Sequence, residues 1–334
     1  MTVPGVRLRV PVAALLVITL SLMTGVWAGA AVAEPAPSAS AASSRTNIKV
    51  ESGPYTVVVN ATTGTAFVAN EWSKSVSVVD EATRQVTAKI GVGSYPRGLA
   101  IDETRGVVYV ANAIDDTVSV IDEKTRTVVD TIPVGSLPYG VAVDPGRGRV
   151  YVAHAIYGGV GSVSVIDVNT HDVIATIATG GTYTFGLAVD SARAALWVID
   201  GNDTVWKIDQ RTLQVVKTVQ VDKPSGLAVS PQTGRVYVTS VQRDAVTVID
   251  ANTAAVRRTI SVPGALNAAV DPARGLVYVP HIRGRQVSVI STKTNDVVRT
   301  FKNGWPPWAV DVNPRTGTLY LTSPENSSVT IIRR

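Results

Sequence analysis

The sequence predicts an all-β fold, a seven-bladed β-propeller with four antiparallel strands per blade. Three observations carry this. An apolar-aromatic-apolar triplet recurs along the chain, with its aromatic at Phe67, Tyr109, Tyr151, Trp197, Tyr237, Tyr278 and Tyr320. The steps between copies are 42, 42, 46, 40, 41 and 42 residues, the period of a four-stranded blade. Each copy sits in the same order of short Val- and Ile-rich runs, parted by Gly, Asp, Asn and Pro. No stretch has the spacing of a long amphipathic helix.

The elements follow in chain order. Residues 1–33 open with Arg7 and Arg9, run apolar from Val10 to Trp27, and offer Ala31-Val32-Ala33 before Glu34. That is the pattern of a secretory signal peptide; an uncleaved membrane anchor is the alternative reading of the same run. Cleavage would take away two arginines and no acid, lowering the formal net charge from +5 to +3. Such a charge is too small for a nucleic-acid footprint, and a nucleic-acid partner is not expected. Residues 34–46, EPAPSASAASSRT, carry almost nothing to bury and read as a flexible Ala/Pro/Ser-rich linker. The chain has no Cys, so an exported fold would rest on packing without disulfides. The expected location is exported: secreted, periplasmic or cell-surface. No transmembrane segment is expected after signal removal, and the protein is expected to be a monomer.

The propeller is assigned to residues 47–334. Each unit begins with a Pro-x-Gly-like run, as in PRGLAID (96–102) and PYGVAVD (138–144). A turn and the aromatic strand follow, then a third strand such as SVSVID (162–167), then VVDTIPVG (128–135) or its equivalent. Gly98, Ala100, Gly140 and Ala142 suit an innermost strand crowded toward the axis. The last unit stops after its third strand, SVTIIRR (328–334). IKVESGP (48–54) aligns with the fourth-strand segment IGVGSYP (90–96) at an offset of 42 residues. The N-terminal strand is therefore expected to complete the last blade, close the ring and remove two free edges.

On these residues the chain resembles the YVTN-repeat β-propellers of exported and cell-surface prokaryotic proteins. Tyr237-Val238-Thr239-Ser240 differs from the family tetrapeptide at one residue. The pattern PxGLAVxP, VYV and VxVID also matches, over residues 48–334. The resemblance implies the fold. The family includes surface and periplasmic proteins without assigned activity, and related propellers include lactonases and lyases.

Strands alternate in direction, so the end of strand two and the start of strand one share one face, here called the top. The bottom face carries tight turns such as DPGRG (144–148) and DPARG (271–275). Asp80, Asp122, Asp167, Asp209 and Asp250 each end a third strand and are expected to cap the next turn. Arg105, Arg147 and Arg274 are expected to form a solvated rim among these acids.

The top face holds the candidate site. One polar residue per blade follows strand two: Asn70, Asn112, His154, Asp200, Ser240, His281 and Ser323. These are expected to ring the channel mouth. Asn, Asp and Ser readily cap their own loops, which leaves His154 and His281 as the better site candidates. The aromatics outside the strand cores fall in top-face connections: Tyr55, Trp72, Tyr95, Tyr139, Tyr157, Tyr183, Phe185, Trp305 and Trp308. With Arg97, Arg243, Arg283 and Arg285 they suit a surface for a protein, peptide or glycan. The third unit carries three extra residues within 154–162 and one within 179–186, both on the top face.

The expected binding set is Tyr55, Trp72, Arg97, Tyr139, His154, Tyr157, Asp200, Arg243, His281, Arg283, Arg285, Trp305 and Trp308. The leading function is a binding or scaffold module that needs no cofactor. The alternative is a metal-dependent lactonase or lyase-type enzyme at the channel mouth. A divalent ion would then sit among Asn112, His154, Asp200 and His281. No catalytic residue is assigned, since HxH, HExxH and GxSxG are all absent.

Overall fold

In the computed structural model the described residues are 44–156 and 159–333. Residues 1–33, read above as a signal peptide, most of the stretch expected to be linker, and Tyr157 lie outside them. The described residues form 28 strands in seven four-stranded antiparallel sheets. Blade one runs through Pro54–Asn60, Thr65–Asn70, Ser75–Asp80 and Gln85–Gly91. Blades two to six repeat that order, starting at Pro96, Pro138, Thr184, Gly226 and Ala269. Helices among the described residues are limited to single 3-10 turns at 71–73, 191–193 and 324–326.

Blade seven is assembled from both ends of the described chain. Val310–Val312, Leu319–Ser323 and Ser328–Arg333 supply three strands, and Ser44–Lys49 adds the outer one by pairing antiparallel with Ser328–Arg333. This is the closure that the offset of the repeats predicts. The closing strand begins at Ser44, three residues inside the stretch expected to be linker. Its first residues are polar because an outer strand is held by backbone pairing. Arg84 of blade one also donates to Thr46 Oγ1 and Ser44 Oγ, each at 2.7 Å.

Alternation explains where the core sits. A blade flanked by two others must be apolar on both faces. The core accordingly divides into seven clusters, each spanning two adjacent blades. The repeat aromatic of every blade is fully buried and points at the next blade. Tyr109 of blade two, for example, packs on Val141, Val150 and Val152 of blade three. Removing such a ring to Ala would cost about 3–5 kcal/mol.

The residue following the third-strand Asp gives two of the buried rings a polar partner, while Tyr237 OH donates to Asn295 Oδ1 at 2.9 Å instead. Gln210 of blade four donates to Tyr151 OH at 3.2 Å. Glu81 of blade one accepts from Tyr320 OH at 2.7 Å, and also from Thr318 Oγ1 and Asn313 Nδ2 at 2.8 Å. Burial alone would raise the Glu81 carboxyl, but these donors hold it below its usual value. Blades three and five have Val168 and Ala251 at this position. The rings facing them, Tyr109 and Trp197, have no partner for Oη and Nε1 among the described residues.

Turn chemistry on the bottom face is as expected. The carboxylates of Asp80, Asp122, Asp167, Asp209 and Asp250 accept backbone N–H groups two or three residues on. The arginines are less free than a solvated rim implies. Arg105, Arg147, Arg193 and Arg274 each pair with the buried carboxylate three residues before, at 2.8–3.2 Å.

One inner-strand residue breaks the repeat. Asp311 faces Tyr320 across the sheet, where Ala100, Ala142, Ala188, Ala228, Ala269 and Val58 face the other aromatics. Its oxygens accept from Val59 N of blade one and from Val312 N, both at 2.8 Å, so it clips the closing seam. Burial pushes its carboxyl up to about 7, against the pull of those two N–H groups.

Two predictions follow from these contacts. Tyr320→Phe deletes a bond to a buried carboxylate and should cost about 1.5–3 kcal/mol, whereas Tyr109→Phe should be neutral or stabilising. Equal losses in urea denaturation would contradict the assignment. Asp311 binds its proton more tightly in the folded than in the unfolded chain. Its favourable contribution is therefore complete below about pH 4 and is lost as pH rises through about 7. Asp311→Asn should gain stability relative to wild type between pH 4.5 and 8, and a pH-independent difference would refute this.

Candidate functional site

The second position, x, of each Pro-x-Gly-like start builds the channel mouth. In blades one to four the inner strand slips register there, between Pro54 and Thr56, Pro96 and Leu99, Pro138 and Val141, and Thr184 and Gly186. The bulge re-aims the x side chain. Tyr55, Arg97, Tyr139, Phe185, Ser225, Leu266 and Trp308, one from each blade, line a central cavity of about 360 Å³. The following Gly makes this possible. A Cβ on Gly98 would collide with the carbonyl oxygen of Tyr139, and one on Gly140 with that of Phe185. Each glycine thus lets the next blade's x residue close on the axis.

The large members of this ring touch. Tyr55 and Trp308 are 5.5 Å apart between ring centroids, Tyr139 and Phe185 6.2 Å, and Tyr183 lies 5.6 Å from Phe185. The Tyr55 and Tyr139 hydroxyls hydrogen-bond to each other. The Arg97 guanidinium lies 4.7 Å from the Tyr139 centroid and 5.5 Å from that of Tyr55, and its Nε donates to Glu71 Oε1 at 2.7 Å. Burial raises the Tyr55 and Tyr139 hydroxyls above their usual value, so both stay protonated at neutral pH. Above them a second cavity of about 460 Å³ opens between Trp72, Tyr183, Ile282, Pro306, Trp308 and Glu325.

Of the expected site residues, Tyr55, Trp72, Arg97, Tyr139 and Trp308 come together here. Trp305 and Arg285 meet each other farther out, 5.9 Å from guanidinium to ring. Arg243 and Arg283 do not join the aromatics: they pair with Asp222 at 2.5 Å and Asp244 at 3.7 Å. With Lys223–Asp203 at 3.3 Å they make an ion-paired sector over blades four to six. The exposed large apolar residues outside the strands are Trp72, Tyr95, Ile114, Val160 and Trp305. All of them lie in top-face loops on the other side of the ring. The two insertions of the third unit hold each other: Gly161 N donates to Gly181 O at 2.5 Å and Thr179 N to Gly161 O at 3.0 Å. They bring Tyr183 to the mouth.

The polar residues after strand two are a correction. They do not ring the mouth; they are buried within their own blades, beneath the loop arriving from the previous blade. Gly93 and Gly135 of those loops leave room for Asn112 and His154, where a Cβ would approach to 2.7 and 3.1 Å. Asn112 Nδ2 donates to Ser119 Oγ at 2.9 Å and Thr117 Oγ1 at 3.0 Å. Asp200 accepts from Trp206 Nε1 at 2.7 Å and from two backbone N–H groups. His281 Nε2 bonds Ser288 Oγ at 2.8 Å. His154 Nδ1 lies 3.1 Å from Ser136 O, which can only accept, so this nitrogen carries the proton and Nε2 accepts from Ser164 Oγ at 2.8 Å. Burial pulls both imidazoles below their usual value, although hydrogen bonds to the 135–136 loop partly oppose this at His154. The four residues expected to share a metal ion thus sit buried in four different blades, Asn112 with its Oδ1 unpaired among the described residues. No group of three or more His, Asp or Glu among the described residues has the geometry to hold one. Sequence reasoning left Phe185, Tyr183 and Glu71 out of the site; Phe185 was visible by aligning the repeats on Pro-x-Gly, while Tyr183 and Glu71 lie in loops outside the repeat pattern.

Comparison with known proteins supports the fold. A family model described as YNCE-like beta-propeller matches residues 49–195, less than half of the chain. Kuenenia stuttgartiensis hydrazine synthase superposes with a TM-score of 0.76 at 21% identity, covering 86% of this chain and 97% of that one. The Cps50 (Swd1) β-propeller domain of Myceliophteria thermophila gives 0.72 at 11% identity, covering 86% and 98%. At these identities the likeness is one of fold. No curated protein matches the chain.

Gly140→Ala should force Phe185 away from the axis and cost about 1–3 kcal/mol. Ala142→Gly, two residues on in the same strand, should cost no more than about 1 kcal/mol. Thermal denaturation of the two variants checks the order, and a reversed order would contradict the close approach at Gly140.

Proposed function

We propose that this protein is an exported binding module of the YVTN-repeat kind that holds a protein, peptide or glycan partner at its top-face mouth. One observation carries the reading. The x positions of seven blades converge on one opening, and the large side chains Trp308, Tyr55, Arg97, Tyr139 and Phe185 take five of them. The ring can close with small residues, as Ser225 shows in blade five. Bulky aromatics there supply contact area of the kind that dominates recognition surfaces. The closing strand supports the same orientation. Ser44, the first of the described residues, pairs with Arg333 at the bottom end of blade seven, away from the mouth. Export rests on the sequence of residues 1–33, and no helix among the described residues is long and apolar enough to cross a membrane.

The test is an array of peptides, glycans and proteins probed with wild type, with the Trp72→Ala/Trp308→Ala double variant, and with Lys124→Ala on the bottom face. The expected result is a ligand bound by wild type and Lys124→Ala and weakened at least tenfold in the double variant. A ligand bound equally by all three would place recognition elsewhere and end this reading.

A further inference from the structure

We infer that the mouth takes the terminal ring of a neutral saccharide. This rests on the reading of the mouth as a binding site and narrows it by the chemistry of the lining. Charge comes first. Arg97 is the one basic residue among the described residues lining either cavity, and Glu71, itself nearly buried, neutralises it at 2.7 Å. Glu325 adds a negative charge at the rim. A phosphate or carboxylate therefore meets no uncompensated cation here. A cationic ligand finds the position over the Tyr139 and Tyr55 rings held by Arg97 and, among the described residues, meets a carboxylate outside an ion pair only at the rim, in Glu325.

Polarity comes second. A purely apolar ligand would strip water from the Glu71–Arg97 pair and the Tyr55–Tyr139 hydroxyl pair without replacing its hydrogen bonds. The lining asks for an uncharged molecule with a flat apolar side and several hydroxyls. A pyranose ring has both. Its C–H face suits the planes of Trp308 and Tyr183, while adjacent hydroxyls suit the carboxylate and guanidinium of one ion pair, which offer acceptors and donors side by side. The mouth, about 460 Å³, has room for one or two sugar rings.

The test uses intrinsic tryptophan fluorescence and calorimetry with cellobiose, maltose, lactose and diacetylchitobiose, beside glucuronate and glucose 6-phosphate. At least one neutral disaccharide should bind saturably, with a Kd between about 10 μM and 10 mM that changes less than about twofold between 50 and 500 mM NaCl. Trp308→Ala should weaken it at least tenfold. Tyr183→Ala, on a loop at the rim, should do so with the native circular dichroism spectrum retained. No saturable binding of any neutral sugar up to about 50 mM would overturn the assignment, as would binding confined to the charged sugars and lost in salt. A peptide bound at the mouth and lost in Trp308→Ala, with no sugar bound, would leave the mouth as the site and overturn the saccharide alone. Loss of both would overturn both.

Discussion

The structure depends on lateral packing between blades. Each sheet is apolar on both faces and can be satisfied only by two neighbours, so the seven clusters form a ring that works only when closed. Closure is made at one seam, where Ser44–Lys49 pairs with Ser328–Arg333. Beside that seam, polar contacts tie blade seven to blade one. Glu81 reaches three side chains of blade seven, Arg333 donates to the Glu81 carbonyl at 2.6 Å, and Asp311 holds a free inner-edge N–H of blade one. Joining strands far apart in sequence costs loop-closure entropy, and these polar contacts help to offset it.

A ring so constrained leaves few positions free to vary. The aromatic of strand two packs in every blade, the third-strand Asp of blades one to five caps a turn, and Gly98, Gly140 and Gly226 let the next blade approach. The x residue between them faces the axis and makes no demand on the fold. Blades five and six use Ser225 and Leu266 there; blades seven, one, three and four use aromatic rings. The asymmetry extends outward, with exposed apolar side chains over one part of the top face and ion pairs over blades four to six. Exposed pairs of that kind add little stability, so their arrangement contributes little to folding.

Most of the fold was legible because its determinants are periodic. VYV, VxVID and the turn aspartates recur at fixed offsets, and the offset of residues 48–54 from 90–96 gave the closure. The start of the closing strand was not legible, since Ser44, Arg45 and Thr46 pair through their backbone and show no apolar pattern. Half of the candidate site was legible as a one-sided set of aromatics. The geometry was not. Alternation along strand two does not reveal that the loop before strand one folds over its last residue, which sends His154, Asp200 and His281 into the blade. Nor does it reveal the bulge that turns Tyr55, Arg97, Tyr139 and Phe185 to the axis. Asp311 was visible as an acid in a column of alanines, but its bond to Val59 spans 252 residues of sequence.

The central claim is that recognition occurs where the x residues converge. The tryptophans give it a direct readout, since Trp72 and Trp308 line the mouth while Trp197 is fully buried between blades four and five. Fluorine NMR of protein labelled with fluorotryptophan, titrated to saturation with a bound ligand, should move the Trp308 and Trp72 resonances and leave Trp197 in place. Saturation with no change at Trp308 would contradict the account.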